Sequence, residues 1–272
     1  MTEFAEQYGP WAVIAGASDG VGAAYARAMA ERGVNVLLLA RRLGVLDEVA
    51  EGIRAETGVE ARGVAVDLAE PEAFDRIVAV TDGLEVGMLM YNAGADPNYQ
   101  PFLANDVDVA LAMVQRNATV PLRLCHHFGG RMVERGRGGI VLVSSGAGLV
   151  GAPNMVAYAS TKAFDIVLAE SLWAEWHDLG VDVLGLVLGM TDTPALRTLL
   201  ADRGVPVPDD QPVEGASTVD EVVDDALANL ANGPTWFVGE QLRSSAPLLG
   251  GMARSDAVRI MIEHGGLPGE DR

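Results

Sequence analysis

The chain has 272 residues, 49% hydrophobic and 21% charged, enough to bury one substantial core and marginal for two independent ones. A formal net charge of −19 argues against a nucleic-acid partner, whose phosphates it would repel, and the single cysteine, Cys125, rules out an intrachain disulfide framework or a Cys-rich zinc site. One cysteine fits a reducing compartment, so the cytoplasm is the expected location; the acidic run Met1 to Glu6 and the lack of any stretch near ~18 apolar residues predict neither a secretory signal nor a transmembrane segment.

In chain order, short runs rich in Val, Leu and Ile recur at Trp11 to Ala15, Val34 to Ala40, Ala61 to Val66, Val86 to Tyr91, Ile140 to Ser144 and Val181 to Leu188, with Thr235 to Val238 as a final candidate. Near-continuous apolar character over so few residues predicts strands buried on both faces. Helical periodicity fills the intervals: Gly22 to Arg32, Leu43 to Thr57, Pro71 to Thr81, Val107 to Arg135, Ala157 to Leu179 and Val219 to Asn232, several closed by a glycine such as Gly33, Gly58, Gly136 or Gly180. The alternation predicts an α/β fold, one doubly wound parallel sheet covered by helices, in a single domain spanning residues 1–272. Between Pro194 and Ala216 the pattern fails, with three further prolines and an Asp209-Asp210 pair, which predicts a mobile loop over a substrate site; beyond Gly239 the chain carries no readable pattern.

Directly after the first strand stands Gly16-Ala17-Ser18-Asp19-Gly20-Val21-Gly22, running into a helix. Strand, glycine turn and helix N-terminus together suit a pyrophosphate, because glycines admit close backbone approach and the helix end favours negative charge. The spacing is wider than the usual dinucleotide fingerprint. At the end of the second strand, where an acid would bind a ribose 2′-hydroxyl, the sequence reads Leu39-Ala40-Arg41-Arg42. Two guanidinium groups would attract a 2′-phosphate, which predicts NADP(H) over NAD(H), with Asp19 as a source of opposing repulsion.

Tyr158 and Lys162 are spaced i, i+4 on a predicted helix and so leave one face. Lys162 is the only lysine beside 18 arginines, which implies a need for a compact ammonium that arginine cannot meet. Beside such a charge a tyrosine can exist as phenolate and exchange a proton with a carbonyl or alcohol oxygen. Ser145, thirteen residues before Tyr158 at the carboxyl end of a strand, can hold the same oxygen, with Ser144 as the competing choice.

With these residues in hand, the chain resembles the short-chain dehydrogenase/reductase family over roughly residues 10 to 195. Gly16, Gly20 and Gly22 match its glycine turn, with Ser18 and Val21 between them. Asp67-Leu68 match its adenine-contacting position, and Asn92-Ala93-Gly94 its motif after the fourth strand. The resemblance implies a Rossmann-type NAD(P)-binding fold, a catalytic tetrad of Asn117, Ser145, Tyr158 and Lys162, with Ser145 preferred to Ser144 on the family's spacing, and cofactor contacts that include Tyr158 and Lys162. It also implies a nicotinamide segment here reading Leu188-Gly189-Met190-Thr191-Asp192-Thr193-Pro194, in which Leu188 replaces the usual proline while Gly189, Thr191 and Thr193 are kept. Tyr8-Gly9-Pro10-Trp11 and the following motifs are similar to the branch of 3-oxoacyl-CoA reductases and 17β-hydroxysteroid dehydrogenases.

The expected activity is hydride transfer between NADP(H) and a ketone, ketosteroid or 3-oxoacyl group. Two alternatives stand beside it: a silent NADP(H) sensor, and an isomerase or dehydratase using the cofactor transiently. A homodimer through the Asn117 and Tyr158 helices is expected, a tetramer being the other option, with Trp173 and Trp176 assigned either to that interface or to the core. Met155 and Met190 are candidates for an apolar pocket, Arg197 and Arg203 for contacts to an acidic substrate. Adjacent His126 and His127 diverge on a helix, and no metal site is expected.

Overall fold

The computed structural model describes residues 2–94 and 99–264. Seven parallel strands form its centre: β1 (Trp11–Ala15), β2 (Asn35–Ala40), β3 (Ala61–Ala65), β4 (Val86–Tyr91), β5 (Gly138–Ser145), β6 (Val181–Leu188) and β7 (Thr235–Phe237), in the spatial order β3-β2-β1-β4-β5-β6-β7. The order reverses beside β1, which pairs with β2 on one side and β4 on the other. Such a reversal opens a crevice at the carboxyl ends of the strands, so the segments after β1, β4, β5 and β6 all meet on one edge.

Alternation along β1 divides the core into two layers. Ala12 and Ile14 face one side, packed with Tyr25, Ala26 and Met29 of α2 (Gly20–Glu31), Leu46 and Ile53 of α3 (Leu43–Thr57), and Val222 and Ala226 of the helix Val219–Asn229. Val13 and Ala15 face the other, with Ile77 of α4 (Ala73–Val80) and Leu124 and Phe128 of the helix Val120–Arg135. Both faces of the sheet are covered, which is why the strands read as continuous apolar runs. Each fully buried Leu, Ile or Val contributes roughly 1.5–3 kcal/mol of burial.

Several elements differ from the sequence expectation. A short N-terminal helix, α1 (Glu3–Tyr8), precedes β1; the Thr2 hydroxyl caps it by accepting from the Ala5 N–H, and its six residues are too few to register as a periodicity. The long helix predicted from Val107 to Arg135 is broken into α5 (Val107–Val114), a π turn (Gln115–Thr119) and α6 (Val120–Arg135). Pro121 supplies the cause. It has no N–H to return to the carbonyl of Asn117, so regular α-bonding cannot pass that point.

The catalytic-motif helix α7 spans Val156–Trp176. Part of the stretch expected as a mobile loop, Pro194 to Ala216, is instead a helix, α8 (Pro194–Asp202), which starts where the Thr193 hydroxyl accepts from the Leu196 N–H and proline takes the first turn. α9 (Val219–Asn229) opens with a capping box between Thr218 and Glu221. The stretch beyond Gly239 forms α10 (Glu240–Gly251) and α11 (Arg254–His264). Among the described residues no helix is long and apolar enough to cross a membrane.

Candidate active site

The glycine turn after β1 is built by steric necessity. Gly16 and Gly20 have φ of +83° and +52°, and a Cβ on Gly22 would lie 2.1 Å from the Gly16 carbonyl oxygen. The Asn92-Ala93-Gly94 segment closes against this turn: the space a Gly16 side chain would need is filled by the Ala93 backbone at 3.0 Å, and the Asn92 amide donates to the Gly16 carbonyl. Asp19 stands at the N-cap of α2 without capping it. Its carboxylate turns to Arg42, 2.7 Å away, and Arg42 also reaches Ser18. Two consequences follow. The first N–H groups of α2 keep no side-chain acceptor from Asp19, and the charge expected to repel a phosphate is already matched by a guanidinium. Arg41 lies exposed beside it.

Asp67 is exposed after β3 and accepts from the Ala69 N–H, while Leu68 is buried. Beyond β6, Thr193 packs its methyl against Gly20, so the nicotinamide segment and the glycine turn face each other across the crevice. The Thr191 hydroxyl is buried with no hydrogen-bond partner among the described residues. A buried orphan hydroxyl on the segment whose Thr193 packs on the glycine turn suits a ligand that brings its own polar group, and a dinucleotide with an amide at one end fits that demand. Gly189 is exposed at the start of this segment.

On β5 and α7 the two serines separate cleanly. Ser144 is buried and donates to the Lys162 carbonyl at 2.7 Å, tying strand to helix. Ser145 lies at the strand's end, half-buried, and accepts from the Ala147 N–H at 3.2 Å, which leaves its own proton to donate elsewhere. Tyr158 is half-buried on the first turns of α7. Lys162 is buried, its ammonium 6.0 Å from the Tyr158 ring centroid. That ammonium and the Asn117 side-chain oxygen border Gly94, where an added Cβ would meet them at 3.0 and 3.1 Å. Asn117 sits fully buried on the π turn, donating to Thr161 at 3.0 Å and accepting from Arg116. The structure therefore brings together at one sheet edge the glycine turn, Asn92 to Gly94, Asn117, Ser145, Tyr158, Lys162 and Thr191.

One residue escaped the sequence reading. Asp165 is buried on α7 with its carboxylate 3.0 Å from the Lys162 ammonium, and the i, i+3 spacing from the sole lysine was the available signal. Burial pushes its carboxyl up to about 6 against the opposing pull of Lys162.

Other expectations resolve differently. Arg197 forms a fork with Asp192 at 2.7 and 2.8 Å and donates to the carbonyls of Pro208 and Gln211, so it ties down the segment beyond α8 and is not available to an acidic substrate. The same hydrogen bonds hold the Asp192 carboxyl below the usual carboxylate range. Arg203 lies over the Tyr99 ring. Trp173 and Trp176 pack toward the core, the latter against Gly129, where a Cβ would strike its ring at 2.5 Å. Met190 borders Gly215, and Met155 precedes α7.

Comparison with known proteins bears on the family and the fold. Residues 10–204 match the family model described as short chain dehydrogenase. The chain is 33% identical to the 7β-hydroxysteroid dehydrogenase of Clostridium sardiniense over 257 residues, covering 94% of this chain and 95% of that one. It is 34% identical over 178 residues to the human very-long-chain 3-oxoacyl-CoA reductase, covering 64% of this chain and 57% of the relative. Among solved structures, one from a study of 7β-hydroxysteroid dehydrogenase stereoselectivity superimposes with a TM-score of 0.87 at 29% identity, covering 96% of this chain and 99% of that one. A short-chain dehydrogenase from Sphingobium yanoikuyae in complex with NADPH does so with a TM-score of 0.74 at 27% identity, covering 90% and 97%.

Proposed function

The chain belongs to the short-chain dehydrogenase family, and we propose that it is an NADP(H)-dependent reductase of bulky ketones, with a ketosteroid as the favoured substrate class and a 3-oxoacyl thioester as the next. The observation that carries this reading is the burial of the only lysine with its ammonium 6.0 Å from the Tyr158 ring, beside Asn117 and Gly94. When bound, NADPH supplies the hydride that adds to the carbonyl carbon.

The residues of this chain provide the proton and the electrostatics. Ser145, whose oxygen already accepts from Ala147, directs its own proton to the substrate carbonyl oxygen and polarises it. Tyr158 donates its hydroxyl proton to that oxygen as negative charge develops there, and the Lys162 ammonium favours the phenolate left behind. Asn117, at the π turn, has a carbonyl that Pro121 cannot satisfy, and it supports the return of a proton to the site. Gly16, Ser18, Gly20, Val21 and Gly22 would cradle the pyrophosphate at the N-terminus of α2, Asp67 and Leu68 would flank the adenosine half, Asn92, Ala93 and Gly94 would line the crevice between the glycine turn and Lys162, and Gly189, Thr191 and Thr193 would hold the carboxamide end.

NADP(H) is favoured over NAD(H) because Arg41 presents an exposed guanidinium at the end of β2 while Arg42 offsets Asp19. A ketosteroid is favoured over an acyl-CoA because the fork to Asp192 removes Arg197 as an anion receptor near the pocket, and because the 7β-hydroxysteroid dehydrogenase relative matches nearly end to end. Val107, Leu111 and Val114 of α5 and Phe164 and Val167 of α7 are exposed apolar residues on two helices that pack together, which supports a homodimer through these helices. Tyr158→Phe tests the reading: turnover falls by at least about a thousandfold while NADPH affinity stays within about twofold, and an active variant would refute the assigned proton donor.

A further inference from the structure

We propose that Asp165 is a positioning residue for the reaction, a buried carboxylate that holds the Lys162 ammonium and sets how much of its positive charge reaches Tyr158. The inference rests on the reading of Tyr158 and Lys162 given above. Lys162 has three donors: one goes to the Val143 carbonyl at 2.7 Å, one to Asp165 at 3.0 Å, and one remains for the site. Neither Lys162 nor Asp165 has more than 3% of its side chain exposed.

Such a pair is a poor device for stability alone, because two apolar side chains of similar volume would do as well or better. This one is costlier still, since the second Asp165 oxygen, Oδ1, is buried with no hydrogen-bond partner among the described residues. Its distinguishing property is position. The carboxylate lies 3.0 Å from an ammonium that is itself 6.0 Å from the tyrosine ring, so at low dielectric it cancels part of the field Tyr158 would otherwise feel.

Among the described residues, few charges compete. From β4 Tyr91 and from α6 Cys125 feel the Asp165 charge, and both are neutral groups that burial, aided by that charge, pushes upward; on α7 Lys162 is the cation, and from the π turn Arg116 donates to Asn117. The carboxyl at about 6 is ionised at neutral pH and above, where it tempers Lys162, and protonated in mild acid, where the ammonium acts undiminished.

The test is the pH profile of kcat/KM for alcohol oxidation with NADP+, pH 5 to 10, in the wild type, Asp165→Asn and Asp165→Ser. Both variants remove the charge, so the midpoint of the rising limb moves down by about one pH unit, and the shallow inflection near pH 6 expected of the wild type is absent. Profiles of active, folded variants that superimpose on the wild type overturn the proposal and leave the roles of Tyr158 and Lys162 standing. Should neither variant fold, the wild-type profile decides: a single inflection across pH 5 to 10 overturns it equally. A purely structural Asp165 would lower stability without moving the limb.

Discussion

Replacing Lys162 with methionine separates what the lysine does for chemistry from what it does for the fold. The substitution keeps the length and apolar stem but leaves Asp165 as a buried carboxylate facing no cation, with the Val143 carbonyl also unmatched. Breaking a buried pair by removing one partner costs roughly 3–5 kcal/mol, so at pH 8 the variant should be about 3 kcal/mol less stable to urea than the wild type. The penalty depends on pH with a definite sign. In the wild type the Asp165 carboxyl is raised from 3.8 to about 6, so its contribution to stability is fully present below 3.8 and is lost as pH rises through about 6. Near pH 5 the carboxyl is protonated in both proteins, and Lys162→Met should then cost only about 1 kcal/mol, the value of ordinary hydrogen bonds. Adding Asp165→Asn to Lys162→Met should restore most of the loss at pH 8 without restoring turnover. A penalty equal at pH 5 and pH 8, or a double variant less stable than the single one, would refute the buried pair as the structural role of this lysine.

Arg41→Ala should raise the KM for NADPH by about tenfold while leaving that for NADH nearly unchanged, because a charge-assisted phosphate contact of about 1.4 kcal/mol is removed from one cofactor only; equal effects on both would refute the 2′-phosphate assignment. Val167→Glu puts a charge on the exposed face of α7 and should shift sedimentation from a dimer to a monomer with the helix content intact, and an unchanged mass would place the interface elsewhere.

Much of the scaffold was legible because its strands are buried on both faces. Runs such as Val86 to Tyr91 have no polar positions to blur their limits, and the observed β4 has the same bounds. The break at residues 115–119 was not read, although Pro121 carried the signal, because periodicity on either side of a π turn stays helical. The segment from Pro194 looked structureless for its prolines. Yet Pro194 sits where a helix tolerates proline best, and Arg197 organises the stretch beyond through carbonyl contacts that no spacing rule anticipates.

In the site, the i, i+4 pairing of Tyr158 with the sole lysine was evident from the chain itself, and the choice between the two serines acquires a physical basis in hydrogen bonding: Ser144 is engaged with the Lys162 carbonyl, Ser145 keeps its proton. The cancellation of Asp19 by Arg42 was not legible, since the two residues are 23 apart and only the turn of the chain brings them to 2.7 Å. Asp165 was hidden for the opposite reason: an aspartate three residues from a lysine on a helix is ordinarily a solvated pair, and only tertiary packing buries it.

The most direct test of the central claim is the initial rate of NADPH oxidation, and separately of NADH oxidation, by the purified protein across ketosteroids, 3-oxoacyl thioesters and small ketones. Turnover of a ketosteroid, faster with NADPH than with NADH, is the predicted result. NADPH binding without consumption on every ketone tested would contradict the assignment of a reductase.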